Sequence, residues 1–291
     1  MALRKTARSR RLGGQLRRLR EDVRLNQEEM AEHINAGEHV RPMSASHLSR
    51  VESGLARIES GQLARIITVL GVGEATAAQL NELQRRANEN GYWQEYRDIV
   101  PEPVEMLAEL GEDAVAARSF DYAFIQGLLQ TRAYAEEVID NGRAFVRPID
   151  IDRLVELRMQ RQKRLSDPDF EGLTAVMTED VLRRVVGGPA VMRAQLQHLT
   201  EMARTAKVTI HIYPREAGAL PGGDNLVIFS FADAGDGSAV FVDSDTASRI
   251  YEHERDPIRQ CTYTFDAALA RALSARESLD LIASTEKEYR Q

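Results

Sequence analysis

The chain is predicted to be mainly α-helical, with a five-helix first domain over residues 1–88, a linker over 89–103 and an α+β second domain over 104–291. Three observations predict this. Apolar residues recur three and four apart through the first 88 residues, the period of helices that bury one face. From Leu173 onward, short apolar runs bounded by glycine-containing turns read as strands lying among further helices. Charge is also divided: residues 1–65 hold 13 Lys/Arg against 8 Asp/Glu, whereas residues 66–291 hold 25 against 37.

At 291 residues the chain has room for two cores. A hydrophobic fraction of 43% and a charged fraction of 29% are ordinary for a soluble globular protein. No apolar run is long enough to span a bilayer, and the basic start lacks the apolar region of a signal peptide. The single cysteine, Cys261, excludes an intramolecular disulfide and makes a cytoplasmic chain the expectation. The first 24 residues alone carry 9 basic and 2 acidic side chains. A basic front on an acidic body is the asymmetry expected when one module meets phosphate, although a solvated basic tail has the same composition.

Taken in order, Arg4 to Arg11 is too charged to pack and reads as a mobile arm. Leu12, Leu16, Leu19 and Val23 then mark a first helix. Asn26, with Glu29 three residues on, has capping-box spacing and opens a second helix whose buried side is Met30, Ala31 and Ile34. Ser44 is a good N-cap for a third helix, with Leu48 and Val51 inward and Gly54 placed to close it. Ser46, His47, Ser49 and Arg50 are left outside, side chains of the kind that read base edges or hold phosphates. Leu63, Ile66, Ile67 and Leu70 form a fourth stripe ending at Gly71, and Leu80 and Leu83 a fifth that stops at Asn88-Glu-Asn-Gly91.

Three stretches, Leu12-Gly-Gly-Gln-Leu-Arg-Arg-Leu-Arg, Asn26-Gln-Glu-Glu-Met-Ala and Leu48-Ser-Arg-Val-Glu-Ser-Gly54, resemble the helix-turn-helix of the phage repressor and Cro type, the XRE family of transcriptional regulators. The resemblance implies a helix from Ser44 in the major groove, a helix from Gln27 crossing the backbone with Gln27 on a phosphate, and Glu52 paired with Arg17 or Arg20. The candidate DNA-contacting residues are Gln27, Arg41, Ser44, Ser46, His47, Ser49, Arg50 and Arg57. One departure stands out: nine residues, Asn35 to Met43, replace the usual turn of three or four. They either extend the second helix or bulge outward as a loop carrying His39 and Arg41, and in the loop Arg41 either reaches a phosphate or belongs to a plain surface insertion, the favoured reading.

In the linker, Trp93 and Tyr96 are expected to pack at a hinge, with Pro101 and Pro103 bounding the connector. In the second domain, residues 104–118, 131–141 and 150–165 read as helices, and so does Pro189 to Arg204. Leu173 to Met177, Val208 to Tyr213, Asn225 to Phe231 and Ala239 to Val242 read as strands, the last two joined by Asp233-Ala-Gly-Asp-Gly. Helices resume near Phe265, and strand order is not readable.

Trp93 and Tyr96, Gly127-Leu-Leu-Gln-Thr131 with Tyr134, Arg158-x-x-Arg161-Gln162, Gly187-Gly188, Met192-x-x-Gln195-Leu196, Pro214 with Ala217-Gly218, and Ala272-Leu-Ser-x-x-Glu-Ser278 are similar to a C-terminal domain found behind this helix-turn-helix in actinobacterial, antitoxin-like regulators. Where that family has Val-Pro before Gly127, this chain has Ile125-Gln126, which puts the loop shape in question.

No P-loop, dinucleotide fingerprint or nucleophile elbow occurs, and the histidines at 33, 39, 47, 198, 211 and 253 lack metal-ligand spacing, so neither enzyme activity, cofactor nor metal is expected. One constellation is unusual: Leu154, Arg158, Arg161 and Leu165 share a helical stripe, which places two arginines among leucines. They either pair structurally with carboxylates such as Glu112, Asp113 or Glu179, or grip an anionic ligand or partner. Gln130, Tyr134, Arg158, Arg161 and Gln162 are the candidate ligand or partner residues. The expectation is a homodimeric transcriptional regulator that binds double-stranded DNA, has no membrane partner, and answers to a small-molecule effector or a small protein. The alternative is an antitoxin or adaptor whose main partner is a protein.

Overall fold

The computed structural model describes residues 7–36, 41–88, 91–142, 146–232, 237–244, 247–252 and 254–289. It contains two compact units, 1–91 and 92–291, helical in the first and α+β in the second.

In the first unit, α1 (Ala7–Asp22), α2 (Gln27–Asn35), α3 (Ala45–Glu52), α4 (Ser60–Leu70) and α5 (Glu74–Asn88) surround one apolar core. The helix ends follow local chemistry. Asn26 Oδ1 accepts from the Glu29 backbone N–H at 2.9 Å, and Glu29 Oε2 accepts from the Asn26 N–H at 2.8 Å. Ser44 Oγ accepts from the His47 N–H at 3.1 Å. Gly54 and Gly71 take positive φ angles of 71° and 61°, which end α3 and α4. Leu48 and Val51 are buried beneath α3.

The arm expected over Arg4 to Arg11 is corrected from Ala7 onward, and residues 1–6 lie outside the described part. From Ala7 the chain is already helical, with Arg8 and Arg11 buried. Long arginine stems can cover apolar surface while their heads find acceptors, here the Arg86 carbonyl 3.4 Å from Arg8 Nη1. Val23, placed on the stripe of α1, falls past its end and is exposed. The long turn after α2 is closed by one side chain. Asn35 Oδ1 accepts from the Met43 N–H at 2.8 Å and Asn35 Nδ2 donates to the Met43 carbonyl at 3.0 Å, which delivers Met43 to the core and chain to Ser44. His39 lies outside the described residues.

The second unit begins with a short 3₁₀ turn, Tyr92–Tyr96, not with an open linker. Trp93, Tyr96 and Val100 are buried against Ala108 of α6 (Glu102–Asp113) and Leu157 of α8 (Ile151–Gln162); α7 (Arg132–Asn141) comes between those two in the chain and the single turn α9 (Asp180–Arg183) after them. A six-stranded sheet follows, built from β1 (Ala116–Asp121), β2 (Gly172–Thr178), β3 (Val208–Tyr213), β4 (Asn225–Ser230), β5 (Ser238–Asp243) and β6 (Ser248–Tyr251) in the order β3-β2-β1-β4-β5-β6. The first three are parallel and the last three antiparallel additions. Phe120, Val176 and Ile228 face α11 (Arg255–Leu269), which contributes Phe265 and Ala268. The other face carries Ala117 and Ser119, in register with Phe229 and Val227, and then Asp121.

Four assignments change. The helix expected over 104–118 stops at Asp113, and its last residues belong to β1, the strand on which the parallel and antiparallel halves meet. Covered on both faces, β1 carries Ala, Ser and Asp where large apolar residues would be expected, so its period-two signal is faint. Helix α8 ends at Gln162 and continues only as a 3₁₀ turn, Lys163–Ser166. Strand β6 is additional. Helix α11 starts at Arg255, ten residues before Phe265, with Pro257 in its first turn where no intrahelical N–H partner is lost. Of the turn at 233–237, residues 233–236 lie outside the described part. Edge strand β3 is covered by the approach to α12 (Ala275–Glu288): Leu273 N donates to Ile212 O at 2.8 Å and Ile212 N donates to Ser278 Oγ at 2.8 Å.

Candidate functional site

Helix α3 is held from beneath by ionic chemistry as well as by leucine. The Glu52 carboxylate is buried and takes Arg20 Nε on Oε1 at 2.6 Å and Arg20 Nη2 on Oε2 at 2.9 Å, a fork from α1. This selects Arg20 over Arg17, which pairs with Glu21 at 2.9 Å. Gln27 Nε2, from the start of α2, donates to the same Glu52 Oε2 at 2.8 Å. Gln27 therefore has a structural partner within the unit.

With its inner side fixed, α3 turns Ser46 and Arg50 to solvent and leaves His47 and Ser49 half-buried. Ser44, His47 and Arg50 line a broad concavity that also takes in Arg41 and Arg57. Five of the eight candidate DNA-contacting residues thus share one surface; Ser46, Ser49 and Gln27 are not on it. Arg41 is exposed and ion-paired with Glu59 at 2.6 Å, an exposed pair of small energetic weight.

In the second unit, the sequence-derived constellation divides. Gln130, Tyr134, Arg158 and Gln162 meet, and their partners are mostly the backbone of residues 125–130. Arg158 Nη1 donates to Gln130 Oε1 at 2.6 Å, while Gln130 Nε2 donates to the Ile125 carbonyl at 2.6 Å. Gln162 Nε2 donates to the carbonyls of Gly127 and Gln130 at 3.0 and 2.8 Å. The Tyr134 hydroxyl faces the Ile125 N–H at 3.4 Å, and burial pushes this phenol up to about 12. From the other side Gln195, on α10 (Pro189–Met202), takes the Thr131 N–H and donates to the Leu129 carbonyl, both at 2.7 Å. The Gly127–Thr131 segment is a clasped loop between two helices. Gln126, where the resemblance leads one to expect a proline, accepts from the Leu128 N–H at 2.6 Å and so fixes the turn by hydrogen bonding.

The carboxylate partners expected for Arg158 and Arg161 are not found: among the described residues neither guanidinium has an acid within 4.0 Å. Glu179 pairs with Arg183 at 3.1 Å instead. Burial first, then the neighbouring Arg161 charge, pulls Arg158 down to about 10, with Asp243 and Tyr134 opposing. Burial also lowers Arg161. Arg161 stands apart from the clasp on the border of a cavity of about 200 Å³ between α6, the end of α8 and the β1/β4 face. Its other walls include Tyr92, Gln126, Phe170 and Phe229, none of which was legible as a site from sequence. They come from four separate segments, and only Arg161-x-x-Arg164, three apart in the chain, offered a local signal.

Sequence also missed Asp121, buried on β1 beside Ser119, whose hydroxyl donates to Asp121 Oδ2 at 2.7 Å. Burial pushes this carboxyl up to about 7 against the effect of that hydrogen bond. The folded chain therefore keeps a proton that the unfolded chain releases near pH 4. Its stabilising contribution is full below about pH 4 and is lost as pH rises through about 7. Asp121→Asn keeps an acceptor for Ser119 and removes the titration, so its melting temperature should rise relative to the wild type between pH 5 and pH 8. Parallel melting curves across that range would contradict the assignment.

Among the described residues no helix is long and apolar enough to cross a membrane, and no group of three or more His, Cys, Asp or Glu is placed to hold a metal. Residues 11–80 match a family model described as a helix-turn-helix domain. Residues 104–284 match one described as a domain of unknown function, DUF5753. Comparison with curated proteins and with solved structures returns no match.

Proposed function

Because the chain belongs to the DUF5753 family and carries a helix-turn-helix domain ahead of that region, we propose that it is a sequence-specific transcriptional regulator of the phage-repressor type, with a second unit that senses a small effector and contributes to a homodimer. The observation that carries the DNA half is the presentation of α3: Leu48, Val51 and Glu52 inside, with Ser46 and Arg50 exposed and His47 sharing one concavity with three arginines. On this reading His47 and Arg50 touch base edges, while Arg41 and Arg57 hold phosphates. The basic balance of residues 1–65 supports it, since counterion release would then dominate affinity.

Two half-sites are expected because one helix-turn-helix covers little DNA. Selection of binding sites from random duplexes should return a palindrome with half-sites about 34 to 36 Å apart. On that operator, His47→Ala and Arg50→Ala should each lose about 1 to 3 kcal/mol and little on random DNA, whereas Arg57→Ala should weaken both alike. Gln27→Ala is the poorer phosphate probe, since it also strips a hydrogen bond from Glu52. Equal losses on both DNAs from all three variants would show that α3 is not the reading helix, and a single unrepeated site would remove the dimer.

A further inference from the structure

Arg161 is the one member of the sequence-derived constellation that tertiary structure leaves without a hydrogen bond or ion pair among the described residues. The arginine three residues on is committed elsewhere. Arg164 places Nη2 2.7 Å from the Ala114 carbonyl and Nη1 2.5 Å from Asp167 Oδ2. Glu112 also borders the cavity, beyond ion-pair distance of Arg161. Arg161 is half-buried, and a guanidinium partly withdrawn from water without a carboxylate is costly, so one kept beside a void is suited to take up a counter-charge there.

The walls say which counter-charge. Leu128, Phe170, Val227 and Phe229 give the cavity an apolar lining that a hydrated ion such as phosphate would not repay. At about 200 Å³ it is somewhat larger than the roughly 150 Å³ void known to hold benzene, which leaves room for one ring and a charged group. We propose that this cavity binds a small carboxylic acid with an apolar body, Arg161 taking the carboxylate through its fork of donors while Leu128, Phe170, Val227 and Phe229 enclose the rest. The site stands on this geometry; its use as the effector site rests on the regulatory reading above.

The full chain supplies its own reporter. Its one tryptophan, Trp93, meets Tyr92 edge-on at 5.5 Å between ring centroids, and Tyr92 lines the cavity. Benzoate, benzamide and inorganic phosphate are the probes, read by Trp93 fluorescence and by calorimetry. Benzoate should saturate, with benzamide and phosphate at least about 10-fold weaker, and Arg161→Gln should weaken benzoate about 10- to 100-fold while leaving benzamide unchanged. Gly111→Leu tests the cavity from the opposite wall, because a Cβ there meets only Phe229, at 3.8 Å, and the longer side chain should fill the space. That variant should stay folded and lose benzoate binding, so the test survives even if Arg161→Gln does not fold. Equal affinity for benzoate and benzamide, no saturation by any probe, or full benzoate binding by folded Gly111→Leu would overturn the site. Saturable benzoate binding that leaves operator affinity unchanged would uphold the site and overturn its effector role alone.

Discussion

Glu52→Ala is expected to destabilise the first unit by about 3 to 5 kcal/mol, and to take DNA binding with it. The side chains of Arg20 and Glu52 are 8% and 2% exposed, so alanine strands a buried guanidinium instead of releasing it to water. Hydrogen bonding to Glu52 is the largest influence holding Arg20 above its ordinary value, ahead of the opposing effect of burial. Three elements would loosen together, because the same carboxylate also receives Gln27, and Arg20 Nη1 separately secures the Leu25 carbonyl at 2.7 Å before α2. Replacing both partners with apolar residues, Arg20→Met with Glu52→Leu, should recover much of the loss, since buried pairs repay little beyond their own desolvation. Urea denaturation followed by helical circular dichroism, together with hydrogen exchange of α3, would measure this. A Glu52→Ala protein as stable as the wild type would mean that the pair does not set the position of α3.

Gly13→Ala, which adds one methyl group, should destabilise the same unit by about 3 kcal/mol. A Cβ at Gly13 would lie 2.4 Å from the Val51 carbonyl oxygen and 2.6 Å from that of Glu52, backbone atoms that cannot rotate away. Helices α1 and α3 would have to separate, and α3 is the helix proposed to read DNA. Gly61→Ala is the control: nothing lies within 4 Å of a Cβ there, and alanine in α4 should be neutral or favourable by up to about 1 kcal/mol. If Gly13→Ala melts with the wild type, the close crossing is looser than described.

The helix-turn-helix unit was largely legible because its information is local. Asn26 and Glu29 cap each other across three residues, Ser44 caps the next helix, and Leu48 and Val51 mark its inner side. Each is decided within a turn or two of helix. The second unit was less legible, since β1 is recognised only through its neighbours: Ala117 pairs with Leu173 on one side and Phe229 on the other, across separations of 56 and 112 residues. A strand of Ala, Ser and Asp has no strong preference of its own, and pairing supplied it.

By itself, then, the sequence determined the caps, the stripes, the charge division and the presence of two arginines on an apolar helical face. Those are properties of residues within a few positions of one another. Which partner each arginine meets depends on chain segments brought together from far apart; the resemblance narrowed Glu52 to Arg17 or Arg20, and tertiary structure decided the rest. Arg20 received Glu52, 32 residues away, and Arg158 received Gln130 from a loop clasped between two helices. Arg161 was set at the edge of a void formed by α6, the sheet and the Phe170 loop, because no acidic side chain among the described residues came within reach of it there.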